Sequence, residues 1–416
     1  MDEFEFRPVT EDELKEFRRV LHYVFAETPE PAEERRPGDN EPAEEAPEEL
    51  DAALKPEWTH AAFHKGKIVA SSGGYPFRMR MNGRPVDADG VTAVGTYPGF
   101  RRRGLVRRLI TDLLHRAHDN GQPAAILWAS MGAIYQRFGY GRGSTQARYR
   151  FDPRHFDFQF GERAVGYTRL LDLDAARPIV TDLYRRFIDE RNLMLHRSDV
   201  MWDIVLPKKK APWCAVHFNA ADEPVGYVTY RTAGELSSFG PSQELTVQDF
   251  VWLDMTGYRG LWEFLVGHDL VGRILWWRAS EDDPAPELLL EPRLLERTTY
   301  DGIWLRVVDV PALLEQRGYD TAGVATIEIT GDPECPWNEG VWRVESDGQE
   351  SEARSASGQV ADIRTDPRGL ASLVSGHTSA SELTRYGRVE VTDSKRLPQL
   401  DALFATRHRP TCMNDF

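Results

Sequence analysis

One stretch constrains the architecture more than any other. The strand-like run DGVTAVGTYP passes through an arginine-rich turn directly into Arg103–Asn120, where Leu105, Leu109, Leu113 and Ala117 fall on one helical face and Asn120-Gly121 supplies a stop. A strand that feeds straight into an amphipathic helix is a building unit of layered α/β folds. Its surroundings agree. Upstream, THAAFH and KIVASSGGYPFRMRM read as strands with a hairpin turn at Asn82-Gly83, and downstream AAILWAS reads as a short apolar strand. Ahead of them, Thr10 with Glu13 forms a capping box, and Leu14, Phe17, Leu21 and Val24 share a face, which predicts a helix to about Phe25.

At 416 residues the chain exceeds one ordinary core. Three units are expected, at 1–150, 151–296 and 297–416. The second carries VQDFVWLDMTGYRGLWEFL, a faint echo of VTAVGTYPGFRRRGLVRRLI that keeps Arg259-Gly260-Leu261 but only one of three consecutive arginines. Duplication with loss of the loop competes here with chance similarity over a short stretch. The third begins with DGIWLRVVDVPALLEQRGY, followed by strands VATIEIT and VWRVES and helical stretches near 369–374 and 397–405. Between the first helix and the first strands, Thr28–Pro56 is rich in Glu, Pro and Ala; it reads as a solvated loop or as an acidic lip that gathers cationic substrate.

No apolar run approaches the roughly 18 to 20 residues of a membrane span, and the N-terminus carries no export pattern, so a cytoplasmic protein without membrane contact is expected. Cys214, Cys335 and Cys412 form no metal or disulfide pattern, so no metal is expected. A net charge of -15 argues against nucleic-acid binding and favours attraction of amines, although solubility alone accounts for the same charge.

The chemistry concentrates in Val94–Arg107. A free helix N-terminus presents unpaired N–H groups and partial positive charge, which suit a pyrophosphate. Gly104 admits close backbone approach, and the arginines add charge-assisted hydrogen bonds. The segment is neither a Walker loop nor G-x-G-x-x-G. It resembles the R-x-x-G-x-G/A loop of the GNAT superfamily of acyl-CoA-dependent acetyltransferases through Arg101, Gly104 and position 106, where Val106 replaces the usual small residue. Met131–Tyr140, after AAILWAS, resembles the Tyr-x-x-x-Gly-Phe that follows the fifth GNAT strand.

In order and extent the chain resembles the Eis (enhanced intracellular survival) family of GNAT acetyltransferases: Val94–Arg107 with its triple arginine, IYQRFGYG at 134–141, a loop-less second unit, and DGIWLRVVDVPALL with CPWNEGVWRVE in a final sterol-carrier-like domain. The resemblance implies an α/β (α+β) chain of two tandem GNAT domains, only the first catalytic, plus a sterol-carrier-like α+β domain, assembled as a homohexamer. It implies acetyl-CoA as co-substrate, with Val94, Gly95 and Thr96 on pantetheine, Ser130 and Met131 facing them, and Arg102, Arg103, Gly104, Leu105, Val106 and Arg107 around the pyrophosphate. Tyr135 is implied as the acid, and the terminal carboxylate of Phe416 as the base; Tyr140 reads as a core aromatic. Asp415 is the expected amine anchor for a small polycationic substrate of the aminoglycoside or polyamine type. Protein lysines as substrate, or a lipid carrier without catalysis, are the rival readings.

Overall fold

The computed structural model describes residues 3–25, 53–160, 163–209, 211–235, 237–238 and 240–416. The acidic stretch from Thr28 therefore lies, up to residue 52, outside the described residues. Three sheets organise the chain.

In the first, β1 (Glu5–Arg7), β2 (Thr59–His64), β3 (Lys67–Met81) and β4 (Arg84–Thr96) form an antiparallel meander, and β5 (Ala124–Trp128) lies parallel to β4. Asn82 and Gly83 both take positive φ, 48° and 85°, as the expected two-residue hairpin turn requires. The Thr10–Glu13 capping box opens a single 3-10 turn leading into α1 (Leu14–Val24), which buries Leu14, Phe17, Val20 and Leu21. Helix α2 (Leu105–Asp119) buries Leu105, Leu109, Ile110, Leu113, Leu114 and Ala117. The helices cover opposite faces: Ala88, Ala124 and Ile126 join the core with α1, whereas Val91, Ala125 and Leu127 pack with α2. After β5, the short α3 (Gly132–Tyr135) leads to β6 (Gly141–Arg142).

The second sheet takes β7 (Thr145–Phe151), β8 (Tyr167–Leu171), β9 (Trp213–Phe218), β10 (Pro224–Ala233), β11 (Gln243–Trp252), β12 (Val271–Ser280) and β13 (Thr298–Asp301), in the order β13-β7-β12-β11-β10-β9-β8. Helices α4 (Leu173–Ile188) and α6 (Met255–Val266) pack on it, and α5 (Asp199–Val205) adds Trp202 to the cluster that α4 forms with the strands. Beneath them Arg197 clasps Asp249 at 2.6 and 3.0 Å with both side chains almost fully buried, an arrangement in which losing either partner leaves an uncompensated charge.

The chain then returns. Strand β14 (Ile303–Val307) pairs antiparallel with β5 and also with β6, placing it inside the first sheet. The expected boundaries at 150/151 and 296/297 cut across this exchange: β7 lies before the first boundary in all but its last residue yet belongs to the second sheet, and β14 follows the second yet belongs to the first. Hydrophobic pattern identifies strands but not their neighbours, which is why the crossing was not foreseen.

The third sheet, β15 (Ala322–Ile329), β16 (Gly340–Asp347), β17 (Ser351–Ser355), β18 (Ile363–Thr365) and β19 (Val389–Val391), runs β17-β16-β15-β18-β19. Its inner residues Ala325, Ile327 and Ile363 share one core with helices Pro367–Val374 and Leu397–Phe404 and with the α1 face of the first sheet. No helix among the described residues is long and apolar enough to cross a membrane.

Candidate active site

Strands β4 and β5 pair only from Ala88–Ala124 to Gly90–Ile126, and beyond that rung they part. The cause is local. Between Ser71 and Gly73 the β3–β4 register slips, with Ala93 at φ 55°, so β4 carries an extra residue, and Ser71 Oγ donates to Ala93 O at 2.8 Å to pin the bulge. A bulge bends its strand and increases the twist, which steers Val94–Thr96 away from β5.

A cavity of about 720 Å³ opens at this split, lined on the β4 side by Val94, Gly95 and Thr96 and on the β5 side by Ser130, Met131 and Tyr135. The first turn of α2 closes one end with Gly104, Leu105, Val106 and Arg107. Gly104 sits at φ 80°, a left-handed turn open to glycine at no steric cost, and no side chain caps the helix behind it. The first intrahelical bond is Arg108 N to Gly104 O, so the preceding amides keep their donors for a ligand.

Among the described residues, four arginines line the cavity: Arg101, Arg102, Arg107 and Arg137. Arg107 pairs with the buried carboxylate of Glu334 and stands over the Phe138 ring. Arg101 Nε reaches Thr96 O at 3.4 Å. The exposed Arg102 and Arg137 have no ion pair or hydrogen bond among the described residues, which leaves their charge available to a phosphate. Uncapped amides and uncommitted guanidinium groups around a parted strand pair fit a CoA-type pyrophosphate and the pantetheine behind it.

Of the expected cofactor residues, Arg103 alone does not line the cavity. Its guanidinium lies 3.1 Å from Glu3 and over the Phe100 ring, because three successive residues of a turn cannot all face one side. Sequence reasoning also missed Val24 and Phe25 at the end of α1, Phe100, Ile134, Phe138 and Arg137. Arg137 was visible as the second residue after Tyr135 in IYQRFGYG.

Tyr135 is set by close packing. Gly132 at the start of α3 lies against Trp304 of β14, where an added Cβ would come 2.6 Å from the indole, and Trp304 is itself fixed by donating to Asp301 at 2.6 Å. Burial pushes the Tyr135 phenol up to about 12, so it keeps its proton throughout the physiological range. The Tyr140 ring lies 6.0 Å away, fully buried.

On the opposite face, Phe77 packs against Gly90 of the last rung, where an added Cβ would be 2.2 Å from its ring. The Phe416 ring meets Phe77 edge-on at 5.0 Å, and Trp128, the last residue of β5, donates to Asn414 O at 3.0 Å. The final residues of the sequence are thereby brought to the split. Asp415 is not free, since Arg278 of β12 pairs with it. A carboxyl that sequence reasoning did not single out, Asp89, is buried on the α2 face one position before the last rung, and desolvation pushes it up to about 7.

Residues 5–143 and again 193–307 match the acetyltransferase (GNAT) domain, and residues 310–413 match the sterol carrier protein domain. With the parted strands and the arginine-lined helix end, this makes the chain an N-acetyltransferase of the GNAT superfamily, whose domains use acetyl-CoA. The N-acetyltransferase Eis of Mycobacterium tuberculosis is 33% identical over 327 residues, 76% of this chain and 78% of that protein. An uncharacterized N-acetyltransferase of Streptomyces avermitilis is 28% identical over 431 residues, 100% of this chain and 99% of its own. The crystal structure of Eis1 from Mycobacterium abscessus superposes with a TM-score of 0.81 at 26% identity, covering 99% of this chain and 100% of that one. The chain belongs to the Eis family of N-acetyltransferases, and the reading as a lipid carrier without catalysis is set aside.

Proposed function

We propose that the protein transfers the acetyl group of acetyl-CoA directly to a primary amine of a small polycationic substrate, of the aminoglycoside or polyamine type, within a ternary complex. The observation that carries this reading is the meeting, at one split between β4 and β5, of an uncapped helix N-terminus, a buried protonated phenol and the Phe416 segment. The co-substrate supplies an activated thioester; the rest is done by the chain. The amides of Leu105–Arg107 with Arg102 and Arg137 hold the phosphates, and the parted edges at Val94–Thr96 and Ser130–Met131 hold the pantetheine.

An attacking amine must first lose a proton, because an ammonium with pKa about 10.4 has no lone pair to offer. In a chain that terminates at Phe416, its α-carboxylate takes that proton, directly or through water. Tyr135 gives its proton to the departing thiolate, a role open to a phenol that remains neutral. A backbone N–H of the parted β4 edge stabilises the developing oxyanion. Arg278 already engages one oxygen of Asp415, so an amine would share that carboxylate with it, and the net charge of -15 is the stronger support for a cationic substrate. The homohexamer belongs to the same proposal, with the exposed Phe160, Val165, Leu170 and Trp213 of the second unit as apolar surface available between copies.

The test is thiol release from acetyl-CoA against a panel of polyamines, aminoglycosides and lysine peptides, using the intact protein and a variant lacking Phe416. Rapid turnover of a polycation that collapses in the shortened variant, with acetyl-CoA affinity retained, is the expected result. Preference for lysine peptides would move the substrate to proteins, and full activity without Phe416 would move the base elsewhere.

A further inference from the structure

The second GNAT unit keeps the parted strand pair but puts it to another use. Strands β11 and β12 pair from Gln243–Val271 to Val247–Trp276 and no further. Beyond that point Gln248 and Asp249 of β11 and Arg278 of β12 line a cavity of about 160 Å³ together with Met413, Asn414 and Asp415. The end of the sequence thus lies at the split of the second unit before it reaches the split of the first.

Contacts from both units fix it there. Gln146 of β7 donates to Cys412 O, and Thr411 N to Asn192 O at 3.0 Å. Asn414 is buried; its Oδ1 lies 3.0 Å from the Tyr184 hydroxyl, which is shared with Leu195 O at 2.7 Å, and its carbonyl accepts from Trp128 Nε1. Arg278 pairs with Asp415 and also lies over the Trp128 ring at 5.6 Å, so one indole joins the first unit, the second unit and the tail. Tyr184 is held in turn by the Arg197 guanidinium stacked 3.9 Å over its ring, and Arg197 by Asp249, which also accepts from Tyr227 at 2.5 Å.

We propose that the second unit acts as a grip for residues 411–416, with Asn414 as the positioning residue that sets Phe416 against Phe77, Tyr184 and Arg278 of the second unit as its supports, and Trp128 of the first unit as the contact shared between them. The proposal rests on the reading of Phe416 as base. A short terminal segment left free loses conformational entropy each time it enters the site, and the grip removes that loss in advance. The supports are unequal. Asn414 is bound at two atoms in a buried setting, whereas the Arg278–Asp415 pair is partly exposed and contributes less.

The experiment compares full-length Asn414→Ala, Arg278→Gln and a form lacking Phe416, reading kcat, the acetyl-CoA KM, and deuterium uptake of the peptide covering 405–416. Asn414→Ala is expected to lower kcat by about 10-fold or more with the acetyl-CoA KM within about 2-fold, and to speed exchange in 405–416 alone. Arg278→Gln, a surface change that keeps the fold testable, is expected to show the same pattern below about 5-fold. Wild-type kcat in Asn414→Ala, or tail protection unchanged in both variants, would overturn the grip. Full activity without Phe416 would overturn the base reading instead, and exchange in the two substituted proteins would still decide whether the tail is gripped.

Discussion

The two GNAT units differ most where strand meets helix. In the first, residues 97–104 separate β4 from α2, and the helix begins uncapped behind Gly104. In the second, only Leu253 and Asp254 separate β11 from α6, and Asp254 Oδ1 accepts from Gly257 N at 2.8 Å. A capping carboxylate satisfies an orphan donor and places negative charge where an anion would sit. Arg259-Gly260-Leu261, the echo seen in the sequence, lies inside α6, where Gly260 fits beneath His217. The same pattern of residues therefore leaves an uncapped helix N-terminus facing a cavity in one unit and a packed helix in the other. What separates them is the presence of a loop and the absence of a cap.

The largest expected effect tests chemistry against packing with one substitution type in each unit. Tyr135→Phe should lower kcat by about 10²-fold or more with acetyl-CoA affinity nearly unchanged, measured by steady-state kinetics and calorimetry. Tyr258→Phe in the second unit removes a donor to the buried Asp283 and should cost about 1 kcal/mol of stability while leaving kcat alone. Equal kcat losses in both would erase the functional distinction between the units.

Next in size is the proposed anion site. Replacing Arg102 and Arg137 together by Ala should weaken acetyl-CoA binding by about 10- to 100-fold with little change in kcat at saturation. Opening the second unit with Asp254→Ala should create no second acetyl-CoA site and should cost about 1 kcal/mol of stability for the lost cap. Two bound equivalents by calorimetry would show that the cap alone closes that unit.

A buried carboxyl in each unit gives the third contrast. Burial raises Asp89 to about 7 and Asp283 to about 6, the latter less because Tyr149, Tyr258 and the Ala285 amide donate to it. Each folded pKa lies above the unfolded value, so the folded state holds the extra proton. Stability is then greatest below about pH 4 and declines as pH rises through about 7 for Asp89 or about 6 for Asp283. Asp89→Asn should abolish its share of the decline, on the order of a few kcal/mol, in denaturant melts across that range. An unchanged pH profile would mean that Asp89 is neutralised by Arg116 after all.

Much of this was legible from sequence. Periodicity gave α1 and α2 and Asn82-Gly83 gave the hairpin, because short-range spacing fixes those features, whereas Val94–Arg107 and Tyr135 as cavity wall came through the resemblance to the GNAT superfamily. Arg103 was not legible, since its direction depends on the positive φ of Arg102, 64°, and on Glu3 far away in sequence. The pairing of Asp415 was not legible for the same reason: its partner Arg278 lies on a strand of another unit. The grip on Asn414 joins Trp128, Tyr184 and the chain end, and no local pattern marks such a meeting.

The return of β14 into the first sheet bears on how the chain is made. Strand β5 is complete at Trp128, yet its partner at 303–307 is synthesised some 180 residues later. At about 5–20 residues per second on the ribosome, the interval is on the order of ten seconds or more. Through that time the edge of AAILW has unpaired donors and acceptors flanked by apolar side chains, a template for pairing with other nascent chains. The first unit thus cannot finish folding as a stand-alone N-terminal domain. A gene fragment ending at residue 150 would supply a sheet with one edge bare and with β7 lacking its own sheet. Translation speed across residues 151–302, rather than the stability of the finished enzyme, should govern how much of it reaches the native state.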